Sequence, residues 1–226
     1  MNERPSPTVE DYLGVIYTLS RDGERVIGAR LVESLDVSAP TVTATLKRMS
    51  RDGWITIGQD KEIVLTEIGR DLAMSVIRRH MLTEWMLARV LKLPLAEVHR
   101  EAHQIEHTLS AEVEERLQSE MEDPRLCPHG NPMPGFEDEV SQWRALSLSE
   151  SGEIVVLNRI HENLEEDYEI LSFLYNNGLL PGVQLRIEEV LPFNETIRVD
   201  VNGRDVTLGL KLAAEIYVSL VEKRGE

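Results

Sequence analysis

SAPTVTATLKRMSRDGWITIGQDKEIVLT, residues 38–66, decides the fold. Ser38 is a good helix N-cap, and Pro40 falls in the first turn, where a missing N–H is harmless. Val42, Leu46 and Met49 recur at helical spacing, and Gly53 marks the stop. Two short β-runs follow, 54–58 and 62–66, around a polar turn. Upstream, TVEDYLGVIYTLS (8–20) reads as a helix, with Thr8 and Asp11 spaced as a capping box, and GARLVESLD (28–36) as a second helix. Helix, helix, turn, helix and β-hairpin make a winged helix-turn-helix. Its third helix would enter a major groove: Ser38, Pro40, Thr41, Thr43 and Thr45 are small enough for close approach, and Lys47, Arg48 and Arg51, with Arg30, reach phosphates.

The whole chain has a formal net charge of −16, which by itself argues against nucleic acid. The charge is unevenly spread, however. Between Arg25 and Lys61 six basic residues face four acidic ones, so the excess carboxylates lie elsewhere, where they serve solubility or cations. The single cysteine, Cys127, rules out an internal disulfide and fits a reducing compartment. Residues 1–7 are too polar for a signal peptide, and charges interrupt the apolar span 72–96. A cytoplasmic protein without membrane contact is expected.

LAEVHREAHQIEHTLS, 95–110, carries the chemistry. On a helix, with His99 at the origin, His103 falls at about 40°, Glu106 at about −20° and His107 at about 80°. His80 and Glu84 form another one-turn pair on the preceding helical stretch, Thr66 to Lys92, which Pro94 ends. Imidazole and carboxylate at one-turn spacing suit a divalent first-row metal. The capping geometry gives Asp11 a rival role at a helix start. Met74, Ile77, Met81, Leu82, Trp85, Met86 and Leu87 offer surplus apolar surface for a dimer interface. After helix 111–121 comes a Pro/Gly-rich loop, EDPRLCPHGNPMPG (122–135). There Cys127 and His129 look like half a metal motif, but no partner pair follows, so a structured loop is the better reading. Beyond a polar linker, strands are expected at 153–160, 184–190, 196–202 and 215–221, with a helix at 165–176 and a tight turn at Asn202-Gly203.

The motifs TVEDYLGVIY, SAPTVTATLKRMSRDG, RRHMLTEWML, VHREAHQIEH, CPHGNPMPG and NNGLLPG, in this order, resemble the diphtheria toxin repressor family of iron- and manganese-dependent regulators. The resemblance spans nearly the whole chain. It implies a mainly α protein with a smaller β part. The parts would be a winged helix-turn-helix at 1–70, a helical dimerisation and metal-binding domain at 71–135, a linker at 136–147 and an SH3-like β-barrel at 148–226. It implies a primary metal site at Asp11, His103, Glu106 and His107. An ancillary site falls on His80, Glu84 and His99, with Glu162 and Glu165 contributed by the barrel. Iron sensors of the family carry methionine and cysteine where this chain has Asp11 and His103. Manganese sensors carry a second carboxylate where it has Gly14 and a glutamate where it has His103. Hard ligands favour Mn(II), then Fe(II), at two ions per subunit. The function implied is a homodimeric repressor that binds a palindromic double-stranded DNA operator when metal is bound and controls metal-homeostasis genes. The alternatives are a hydrolytic metalloenzyme, for which no nucleophile elbow or phosphate loop is present, and a metal-binding interaction module.

Overall fold

The computed structural model describes residues 4–223, which divide into two compact units. The first runs to His80 and takes in Glu106–Leu109; the second holds Met81–Ile105 and everything from Ser110 onward.

The first unit opens with α1, Pro7–Arg21. Ser6, not Thr8, is its N-cap residue, and Pro7 occupies the first turn. The capping-box reading of Asp11 therefore fails: Asp11 lies inside the helix. α2, Gly28–Leu35, stops where Asp36 turns left-handed at φ 47°. α3, Ala39–Arg51, starts on Ser38, whose hydroxyl accepts the Thr41 N–H. β1, Ile55–Ile57, and β2, Ile63–Leu65, pair antiparallel as the wing, Ile55 opposite Leu65. α4, Glu67–Trp85, begins in this unit and leaves it after His80. Tyr12, Leu13 and Ile16 from α1, Leu31 from α2, Val42 and Met49 from α3 and Ile55 from the wing are all almost wholly buried. Each such side chain contributes about 1.5–3 kcal/mol relative to an exposed one. The α2–turn–α3 geometry depends on the Ser38 cap, so Ser38→Ala should cost about 1 kcal/mol of unfolding free energy, read by urea melts.

In the second unit the last turn of α4 runs into a π-helical turn, Met86–Val90, and Lys92 takes a positive φ of 58° before Pro94. α5, Leu95–Ile105, is shorter than expected; Glu106–Thr108 is a 3-10 turn. α6, Ala111–Glu120, is capped by Ser110 and buries none of its residues. Of the apolar set proposed for a dimer surface, Ile77, Met81, Leu82 and Leu87 are already buried within one chain. Val90 and Leu91 are instead more than half exposed.

The rest is an antiparallel sheet of β3 (Arg144–Ala145), β4 (Glu153–Ile160), β5 (Gln184–Leu191), β6 (Thr196–Val201), β7 (Arg204–Gly209) and β8 (Ile216–Lys223), in the order β3-β8-β4-β5-β6-β7. The stretch read as linker thus carries a short strand that pairs with β8. β7 was absent from the expected strands, although the Asn202-Gly203 turn before it, with both residues at positive φ, was legible. α7, Tyr168–Asn176, starts three residues later than expected, on an Asp167 cap. With α8, Leu210–Ala214, it closes over a core that includes Leu157, Ile160, Leu171, Leu174 and Ile187, and Ala96 of α5 packs on the same core.

Candidate metal centre

In the first unit α1 presents Asp11 to the 106–108 turn. His107 Nε2 is 3.1 Å from Asp11 Oδ1 and 3.4 Å from Glu106 Oε1. Its other nitrogen, Nδ1, lies 2.7 Å from Glu10 Oε2. The second oxygen of Glu106 meets His80 Nδ1. Neighbouring ligands about 2.1–2.2 Å from an octahedral ion stand about 3 Å apart, so the Asp11, Glu106 and His107 atoms have the spacing an ion needs. Glu106 is buried and Asp11 partly so, which makes two facing carboxylates costly without a cation between them. His103 is exposed on α5, in the second unit, one helical turn before His107 along the chain.

The second unit holds its own cluster. His99 Nδ1 lies 2.8 Å from Glu165 Oε2 and 3.2 Å from Glu84 Oε1. Glu84 and Glu165 are buried, and so are two residues of the proline-rich loop, Cys127 and His129. His129 Nδ1 is 3.2 Å from Glu165 Oε1 and 3.5 Å from Glu84 Oε1. Its Nε2 is 3.0 Å from the Leu95 carbonyl, which can only accept. That fixes Nε2 as the N–H and aims Nδ1 at the carboxylates. A proton on Nδ1 or a metal ion satisfies this arrangement; a bare lone pair beside two carboxylates does not. Burial works against a charged His129, but Glu165 and Glu84 hold it well above the ordinary imidazole range. His99 is displaced the same way, burial being outweighed by Glu165, Glu166 and Glu84. Burial first, then Glu84, pushes the Cys127 thiol up to about 12. The buried Tyr175 hydroxyl, which points into this negative region, finds no hydrogen-bond partner among the described residues.

Three corrections to the sequence reading follow. Cys127 and His129 do have partners, supplied by Glu84 and Glu165 from distant elements. Glu162 is turned away to Arg159, at 2.8 Å, and only Glu165 of the barrel pair joins the cluster. Glu10, unremarked in the sequence, is 2 % exposed and accepts from Arg4 and Arg79, each at 2.8 Å. Burial opposes its charge, but Arg4, His107 and Arg79 hold its pKa below the ordinary range.

On α3, Pro40, Thr41, Thr43, Lys47 and Arg48 are exposed, as is the Ser38 cap, and Thr45 is buried beneath them. The Thr43 hydroxyl is turned back to the Ala39 carbonyl at 2.9 Å. Arg30 is already engaged by Glu24 and Glu33, and Arg51 by Asp52, which leaves Lys47 and Arg48 better placed for phosphates.

Three family descriptions match in succession: "Iron dependent repressor, N-terminal DNA binding domain" over residues 6–63, "Iron dependent repressor, metal binding and dimerisation domain" over 66–135 and "FeoA domain" over 144–220. The diphtheria toxin repressor of Corynebacterium diphtheriae is 41% identical, covering 93% of this chain and 96% of that protein. The iron-dependent repressor IdeR of Mycobacterium tuberculosis is 35% identical, covering 95% and 97%. The chain belongs to the iron-dependent repressor family. A solved structure described as a manganese-dependent transcriptional repressor complex with manganese superposes with a TM-score of 0.83 at 28% identity, covering 94% of this chain and all of that one. The structure of the manganese regulator SloR superposes at 0.76 and 28%, covering 96% and 100%. This family member is thus a metal-dependent DNA-binding transcriptional repressor and not an enzyme, with a dimerisation domain and a divalent metal as cofactor. Among the described residues no helix is long and apolar enough to cross a membrane.

Proposed function

We propose that this repressor senses Mn(II), with Fe(II) as the second choice, through two ions per subunit, and that it controls metal-homeostasis genes from a palindromic operator in the cytoplasm. The observation that carries the reading is the meeting of Asp11, Glu106 and His107 in the same unit as the exposed face of α3. His103, one turn before His107, would complete a first site made only of oxygen and imidazole ligands, which suits hard ions. Glu84, His99, Cys127, His129 and Glu165 would hold the second ion, His80 standing beside Glu106 at the first.

The metal supplies a fixed positive charge that both carboxylates can share. What the chain contributes is placement. Asp11 rides on α1, which packs against α2, and α2 packs on α3. Glu106 and His107 sit on a turn continuous with α5. Holding Asp11 to that turn restricts α1 and, through it, α3. In a dimer, two α3 helices must meet successive major grooves about 34–36 Å apart, and restricting them beforehand removes an ordering cost from DNA binding. Linkage then requires that DNA tighten metal affinity by the same factor.

The test is selection from random-sequence DNA with Mn(II), Fe(II) or Zn(II), against a chelated control. A common palindrome enriched only with metal, and at lowest concentration with Mn(II), is expected; enrichment that persists in chelator would refute metal control. On the selected operator, Arg48→Ala should weaken all sequences alike and reduce the salt slope by about one. A loss confined to one base position would contradict a phosphate role.

A further inference from the structure

We infer that Glu10 is a positioning residue of the first metal site: it sets the tautomer of His107 so that the ring's Nε2 lone pair faces Asp11 and Glu106. The inference rests on the reading that these three residues hold an ion.

The geometry is closed on one side of the ring and open on the other. Glu10 and Asp11 are neighbours on α1, so their side chains leave the helix about 100° apart. Glu10 is the inward one. Its Oε2 is 2.7 Å from His107 Nδ1. Its Oε1 accepts from Arg4 Nε and Arg79, both at 2.8 Å. The same two guanidinium groups donate to the Glu106 carbonyl, each at 3.1 Å. Arg4 also reaches the Leu109 carbonyl at 2.9 Å. Glu10 is therefore held in one place by two cations that are themselves anchored on the turn bearing Glu106 and His107.

This arrangement gives Glu10 a role different from that of Asp11. A carboxylate has about four acceptor positions, and here three cationic or N–H groups already use them. Two guanidinium groups beside it repel a further cation, so Glu10 is poorly suited to be a ligand. A carboxylate as acceptor is what keeps the proton of a neutral imidazole on Nδ1. The lone pair is then on Nε2, the nitrogen 3.1 Å from Asp11 Oδ1 and 3.4 Å from Glu106 Oε1. Carboxylate acceptors behind metal-bound histidines orient the ring and raise its basicity, and their loss lowers metal affinity by about 10–100-fold.

The chain has six histidines, few enough to assign each ¹⁵N-imidazole signal by substitution. At about pH 8, above the ordinary imidazole range, the metal-free full-length chain should show His107 with its proton on Nδ1. Zinc, being diamagnetic, should then displace the Nε2 resonance of His107. Calorimetry with Mn(II) should show first-site affinity about 10–100-fold lower in Glu10→Ala, less than tenfold lower in Glu10→Gln, which keeps an acceptor oxygen, and no change at the second site. A proton on Nε2 in the unsubstituted chain overturns the inference whether or not Glu10→Ala folds. So does a Glu10→Ala chain that folds and keeps the parental tautomer and affinity, while a zinc-shifted Nε2 leaves the site reading standing. If zinc leaves every His107 signal unmoved, the site reading itself fails and takes this inference with it.

Discussion

His107→Ala should abolish Mn(II)-stimulated operator binding and leave a folded dimer. The imidazole touches Asp11, Glu106 and Glu10 together, at 3.1, 3.4 and 2.7 Å. Without it, Asp11 and Glu106 face each other with one ligand fewer, and the ion loses the group that joins α1 to the 106–108 turn. Folding should suffer little. The ring is not part of the apolar core, and Glu10 keeps both Arg4 and Arg79, so it is not left as a buried unpaired charge. The metal response is the larger quantity: about 3 kcal/mol of coupling corresponds to roughly hundredfold control of DNA affinity. Fluorescence anisotropy with a labelled operator, in Mn(II) and in chelator, reads it directly. The variant should bind equally weakly in both and should hold one ion per chain instead of two. A variant that retained the parent's metal response would remove Asp11, Glu106 and His107 from the sensing site.

The winged helix was legible because its signals are local. Ser38, Pro40 and Gly53 fix the ends of α3, and Val42, Leu46 and Met49 give it one buried face. The stripe expected on one helix was read from one-turn spacing, but α5 ends at Ile105, Glu106 and His107 sit on a 3-10 turn, and His99 faces Glu84 and Glu165. The misses share a cause of the opposite kind. Cys127 and His129 lack partners within their own loop; Glu84 is some forty residues earlier and Glu165 some forty later, and only folding brings them together. Glu10 was masked by its neighbour, because the resemblance that implies Asp11 as a ligand says nothing about the residue about 100° around the helix. Thr45 was misread because a hydroxyl that can face DNA can also sit under the helix. The start of α1 was misplaced because Thr8 and Asp11 satisfy a capping pattern that Ser6 and Pro7 pre-empt one turn earlier. The one feature that could have exposed the second cluster is Gly130, since a glycine inside CPHGNP asks for a backbone that no other residue adopts easily.

Gly130→Ala is expected to disable the second site and to destabilise its unit by about 2–4 kcal/mol. Gly130 has φ +90°, a conformation that costs a residue with a side chain about 1–2 kcal/mol. Space is the second obstacle. A Cβ here would lie 2.0 Å from the Asn158 carbonyl oxygen and 2.8 Å from Arg159 Cα, both backbone atoms of β4 that cannot swing aside. The loop must therefore lift off the strand. Its moorings lie close by: Ile160 N–H donates to the His129 carbonyl at 2.9 Å, and Asn131 Nδ2 donates to the Ile160 carbonyl at 2.9 Å and to Glu165 at 2.6 Å. Lifting the loop withdraws Cys127 and His129 from Glu84 and loosens Glu165 at once. Asp11, Glu106 and His107 lie in the other unit and touch none of these residues. Metal analysis should then find one ion per chain, while His107→Ala combined with Gly130→Ala should bind none. Urea melts should show the lost stability in the transition of the second unit. A Gly130→Ala chain that still holds two ions, with unchanged unfolding, would mean that this loop does not position Cys127 and His129 for metal.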